Sequence, residues 1–157
     1  MRKQILNSLT TAFFLSLMIF ISCGDGGGGD EPPAPTAAEE QFARLAKTWT
    51  LSSVSADGTP VEGWEGFTVT FGGTATSGDY STNGSQPDGT TRVWPASGRW
   101  TFASETDVNT IERNDGVSLR IALDTNGTSA VITFSIADDG NRQDIVEGDW
   151  NFTMTAP

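Results

Sequence analysis

The side chains behind most enzyme chemistry are almost missing from these 157 residues, which contain no histidine and one cysteine. Without an imidazole there is no Ser-His-Asp or Cys-His nucleophile and no ordinary histidine metal site. A single thiol cannot build a zinc-thiolate set. Carboxylates remain, and Glu62 and Glu65 flank Trp64 in "EGWE". An acid beside an aromatic platform imitates a sugar-cleaving site, but nothing in the surrounding sequence places a second acid to work with it. The oxygen-rich stretches "DTNG" (124–127) and "DDGNRQD" (138–144) do not keep the spacing of the twelve-residue calcium loop. Turns draw Asp, Asn and Gly for dihedral reasons alone. The expectation is a protein that is not an enzyme, with no metal and no cofactor. Four side chains are candidates for binding instead. Trp64 and Trp94 sit in turn-rich segments, where they either stack a ligand at the mouth of the fold or plug it as core, the reading the pattern favours. Arg99 and Arg120 alternate with apolar neighbours, so they face solvent unless the surface turns them inward to receive an anion.

Charge narrows the partners. The chain has 9 basic and 20 acidic residues, a formal −11. Loss of residues 1–22 would remove Arg2 and Lys3 and no acid, leaving 7 against 20, or −13. Such a chain repels nucleic-acid backbones and anionic lipid alike.

The one cysteine, Cys23, stands between an apolar run and "GDGGGGDEPPAP" (24–35). Arg2 and Lys3 followed by "TAFFLSLMIFI" (11–21) read as a secretory signal, too short to cross a bilayer and without a basic stop-transfer flank. "IFISC" (19–23) resembles the lipobox of bacterial lipoproteins, with Ser22 at the small position. That resemblance implies a diacylglycerol on the Cys23 sulfur, cleavage before it and acylation of the new amine. Two or three acyl chains anchor stably where one is marginal. No second cysteine exists for an internal disulfide. Residues 24–35 are too polar and glycine-rich to pack, so residues 23–35 are expected to form a lipidated, disordered tether. The acids after Cys23 are also similar to the surface-export signal of Bacteroidetes-type lipoproteins. The expected address is therefore the outer membrane, on the cell surface or the periplasmic side.

The remaining elements read as one all-β domain, residues 36–157, opened by a helix. Thr36 and Glu39 fit a capping box, and Phe42, Leu45, Ala46 and Trp49 follow at helical spacing, the helix ending near Lys47. Alternation then takes over: Phe67, Val69 and Phe71 share a face, as do Trp100 and Phe102. "NTIERND" (109–115) is a weaker strand. Val117, Leu119, Ile121 and Leu123, then Ile132, Phe134 and Ile136, form two strands around Asn126-Gly127, which reads as a tight hairpin turn. Val146, Gly148, Trp150, Phe152 and Met154 align on the last strand, with Gly148 marking a bulge or corner. Residues 77–98 are mostly turn formers after a short strand, and long loops of this kind carry function or mobility. About eight antiparallel strands in sequential order escape exposed edges best by closing into an up-and-down barrel.

"RLAKTWTLSSVSADGTPVEGWEGFTVTF" (44–71) resembles the opening of lipocalin-like domains in Bacteroidetes lipoproteins, and "SGRWTF" (97–102) their mid-domain strand. The resemblance covers residues 36–157. It implies a small, calycin-type β-barrel with a central cavity, holding a small apolar or amphipathic ligand or binding an envelope protein, as a monomer held to the membrane through Cys23. The alternative is a barrel filled by its own side chains whose loops bind a protein or glycan. Bulky inward candidates (Trp100, Phe102, Phe134, Trp150, Phe152) lean towards the filled form.

Overall fold

The structure is a computed structural model that describes residues 32–137 and 146–157, with a compact unit beginning at Ala34. The signal segment, Cys23, the tether through residue 31 and the "DDGNRQD" stretch lie outside the described residues.

Helix α1 (Ala37–Leu45) begins where the capping box places it. The Glu39 N–H donates to the Thr36 hydroxyl at 3.2 Å, and the Thr36 N–H donates to the Glu39 carboxylate at 2.7 Å. That backbone donor holds the Glu39 carboxyl below its ordinary value. The helix stops at Leu45, two residues before the expected end. Its terminal carbonyl is taken by the Trp49 indole N–H at 3.0 Å and by the Lys47 N–H at 2.8 Å. These bonds satisfy an orphan acceptor of the last turn and swing the chain into the first strand. Leu45 is buried, the Phe42 ring lies 6.1 Å from that of Trp100, and Gln41 donates to the Asn109 side chain at 3.2 Å.

Nine strands follow among the described residues: β1 (Thr48–Ala56), β2 (Thr59–Pro60), β3 (Thr68–Gly73), β4 (Gly78–Asn83), β5 (Ser97–Phe102), β6 (Thr110–Arg113), β7 (Ser118–Leu123), β8 (Ser129–Ile136) and β9 (Gly148–Thr155). The two-residue β2 folds back on the end of β1. The other eight form an antiparallel meander, and β1 pairs β9 from Thr50↔Thr155 to Ala56↔Trp150, so the sheet closes into the expected barrel. Closure leaves no free edge on the ring.

Period two decides which side chains enter. Val69 and Phe71, Leu119 and Ile121, Ile132 and Phe134, and Trp150, Phe152 and Met154 are buried, while Thr70, Arg120, Ser135 and Asn151 face out. Strand β1 breaks the rule once. Its register against β9 slips between Leu51 and Ser53, so Trp49 and Val54 are both buried despite their odd spacing. A bulge of this kind inserts one residue and sharpens the bend that closure needs.

Strands β4 and β5 exchange glycine for aromatic. Gly78 pairs with Trp100 and Tyr80 with Gly98. A Cβ on Gly98 would lie 2.6 Å from the Tyr80 ring, so each large ring lies over the bare backbone opposite. The turn at Asn126-Gly127 differs from the tight form expected. Only Gly127 takes a left-handed φ, and a longer loop joins β7 to β8. The Asp124 carboxylate accepts from the N–H groups of Thr128 and Ser129 at 2.7 and 2.8 Å, and this local bonding outcompetes the two-residue turn. The same donors, Ser129 foremost, hold the Asp124 carboxyl below its ordinary value.

Candidate functional site

The segment between β4 and β5 turns into the barrel. Gly89, with φ of 83°, leads into a 3-10 turn at Thr90–Arg92. The Thr90 hydroxyl donates to the Pro87 carbonyl at 2.7 Å, and the Val93 N–H donates to the Thr90 carbonyl at 2.8 Å. This turn drives Val93 and Trp94 inward, and both are 0% exposed.

Trp94 spans the lumen. Its ring centroid lies 6.5 Å from Phe71 on β3, 5.7 Å from Tyr80 on β4, 5.8 Å from Phe134 on β8 and 5.9 Å from Phe152 on β9. Around the eight-strand ring β4 and β8 stand four places apart, on opposite walls. Edge-to-face contacts of this kind carry energy beyond the area they bury. Trp64 enters from the β2–β3 connection, also buried, 4.9 Å from Phe67 and 5.1 Å from Phe152. The two tryptophans are thus brought into one cluster at the same end, sharing Phe67 and Phe152 as neighbours.

A buried cation stands among these rings. Arg113, at the end of β6, has its side chain 1% exposed. Its Nη1 donates to the Val93 carbonyl at 2.7 Å, its Nη2 to the Arg92 carbonyl at 3.3 Å, and its Nε to the Asp115 carboxylate at 3.0 Å, with a second bond from Nη2 to Asp115. The guanidinium carbon lies 5.4 Å from the Trp94 centroid and 5.8 Å from those of Tyr80 and Phe134. Partial burial pushes the Asp115 carboxyl up, but the hydrogen bond and charge of Arg113 outweigh it and hold the group below its ordinary value. Burial likewise raises the Tyr80 phenol, against the pull of Arg113. A buried charge persists only when paired and bonded this fully.

Sequence reasoning missed Arg113. The signal was present, because alternation in "TIER" puts Arg113 on the face of the buried Ile111. The two arginines it named stand elsewhere. Arg99 is outside on β5, its side chain 85% exposed and 3.9 Å from Asp79. Arg120 is outside on β7. Neither meets Trp64 or Trp94. Glu62 and Glu65 are exposed on either side of the buried Trp64. Next to the plugged end, Thr91, Arg92, Pro95, Asp115, Val117 and Ile136 line a surface depression of about 780 Å³.

No protein-family model matches the chain, and no curated protein gives a significant match.

Proposed function

We propose that this chain is a lipid-anchored envelope protein whose barrel is a filled, non-enzymatic scaffold that engages a protein or glycan through its surface. The observation that carries the filled form is Trp94, whose indole meets rings on opposite walls and occupies the volume a lipocalin-like ligand would take. The anchor rests on the sequence alone: a basic start, a short apolar run, and Ser22 before Cys23. The partner surface nearest the plug is the depression beside Arg92 and Asp115, which the 84–96 segment and the β6–β7 turn hold in place.

Two measurements on the chain in its own host test this reading. Labelled palmitate should enter the wild type and not Cys23→Ser; label in both variants removes the anchor. Native mass spectrometry of the detergent-extracted protein should show polypeptide and acyl mass only. A further apolar mass that leaves on denaturation removes the filled barrel.

A second reading has one observation in its favour. The indole N–H groups of Trp64 and Trp94 are buried donors with no acceptor among the described residues. Orphan donors of this kind cost free energy, and an amphipathic ligand entering at this end would supply acceptors. The native mass measurement separates the two readings.

A further inference from the structure

Outside the barrel, Thr110, Arg120, Thr133, Asn151 and Ser55 are successive Cα partners across β6, β7, β8, β9 and β1. They form one transverse row, about 19 Å long at the ordinary strand spacing. The row lies in a trough of about 540 Å³ whose side also carries Asp149. The Ser135 hydroxyl donates to Asp149, whose other carboxylate oxygen has no side-chain donor among the described residues. None of the five side chains in the row has a side-chain hydrogen bond or ion pair among the described residues. Other outward side chains pair off, as Thr48 does with Thr70, Ser118 with Glu112 and Arg99 with Asp79.

We infer that this trough binds a neutral, hydroxyl-rich oligosaccharide. The inference rests on the reading of the barrel as a filled interaction module, and it moves the contact from the loops to the sheet. A sugar hydroxyl both donates and accepts, and the trough offers both. Arg120 presents a fork of N–H donors, Asn151 an amide of each kind, Asp149 an acceptor, and Thr133, Thr110 and Ser55 hydroxyls of both kinds. Other occupants fit less well. The ring is closed, so no edge accepts an added peptide strand. Phe134 and Trp150 also line the trough but are only 5% and 2% exposed, so little apolar surface is left to bury against a lipid or an amphipathic helix. The acidic chain, with Asp149 in the trough itself, repels polyanions. All the donors stand on strands of a closed barrel, so little ordering is required on binding.

The test is an amide and indole NMR titration of residues 34–157, the compact unit with its complete barrel, using xylohexaose, mannohexaose and cellohexaose. At least one should shift the Arg120, Thr133 and Asn151 amides. Its affinity should fall at least about tenfold in Arg120→Ala/Asn151→Ala and stay unchanged in Arg99→Ala. Both sites are exposed, so a native spectrum in each variant confirms that the fold is kept. The site is overturned if no hexasaccharide shifts the row, if the double variant binds as well as the wild type, or if oligogalacturonate binds more tightly than the neutral sugars. A shift of the Trp94 indole N–H instead would overturn the filled barrel, a failure separate from that of the trough.

Discussion

The guanidinium of Arg113 lies 5.4 Å from the ring centroid of Trp94 and donates to the carbonyl of the adjoining Val93 at 2.7 Å. A strand residue thus clamps the segment that plugs the barrel, by both its backbone and its side chain. The plug is held by charge-assisted bonds as well as by apolar burial.

Removing the plug should cost much of the domain's stability. Trp94→Ala deletes a fully buried indole with partners on four strands, and substitutions of this size cost about 3–5 kcal/mol. Urea titration of residues 34–157 should show a midpoint far below that of the wild type. The same variant should take up a small apolar dye that the wild type excludes.

The clamp should be asymmetric in its two charges. Arg113→Ala leaves two backbone carbonyls without donors and the Asp115 carboxylate with only the Val117 N–H, at about 3–5 kcal/mol. Arg113→Lys should recover little, because a point charge cannot replace the fork. Asp115→Asn should cost less, about 1–2 kcal/mol, since that carboxylate is 35% exposed and partly screened. Chemical denaturation of the three variants gives the order.

Acid should loosen the same joint. The Asp115 carboxyl is held below its ordinary value of 3.8 in the folded protein, so its contribution is complete above that pH. It is lost as pH falls through the lower folded value. Asp124 and Glu39 are shifted in the same direction and add to the effect. The Tm of the wild type should hold between pH 5 and 7, within the range where such groups stay ionised, and drop below about pH 4. The Asp115→Asn variant should show a shallower drop; an identical acid slope would show that Asp115 contributes nothing to it.

The pairing of Tyr80 with Gly98 gives a more local outcome. In Gly98→Ala the new methyl would meet the Tyr80 ring at 2.6 Å, against neighbours that are themselves packed. Overpacking of this kind costs about 1–3 kcal/mol. The Tyr80→Leu background should remove most of that penalty, which a double-mutant cycle in urea would measure.

Barrel closure has its own bolt. Asp57, at a left-handed φ of 49°, donates its N–H to the Asp149 carbonyl and accepts the Asp149 N–H on its carboxylate, both at 2.8 Å. Gly148 leaves room for that carboxylate, since a Cβ there would lie 2.5 Å from it. Asp57→Asn keeps an acceptor and a residue that tolerates this φ, so it should be nearly neutral. Asp57→Val should cost about 2–4 kcal/mol from strain and the lost bond. Hydrogen exchange should show the loss first along β1 and β9.

Much of this architecture is written locally. The capping box at Thr36 and Glu39, the alternation of Phe67, Val69 and Phe71, and the alignment of Trp150, Phe152 and Met154 each depend on residues a few places apart. Periodicity and capping therefore sufficed to read a helix followed by an antiparallel barrel. Composition by itself removed imidazole and dithiol chemistry.

What tertiary structure decided lies wherever distant strands meet. The bulge after Leu51 follows from the bend that pairs β1 with β9. The loop at Asp124 is a local exception, where a carboxylate reaching donors four and five residues away competes with the turn that Asn126-Gly127 suggests. The turn-rich sequence around Trp94 favoured core over ligand stacking without placing the indole; only the closed ring creates the apolar space that draws it inside. Arg113 lies on a core face that its sequence pattern marks, yet its burial is tolerable only because Asp115 and two carbonyls of the plug converge on it. Arg120, which alternation placed outside, gains its neighbours Thr133 and Asn151 only through the register of β7, β8 and β9. Faces follow from local order along the chain. Partners follow from closure, because contacts across the ring join residues whose separation in sequence carries no pattern.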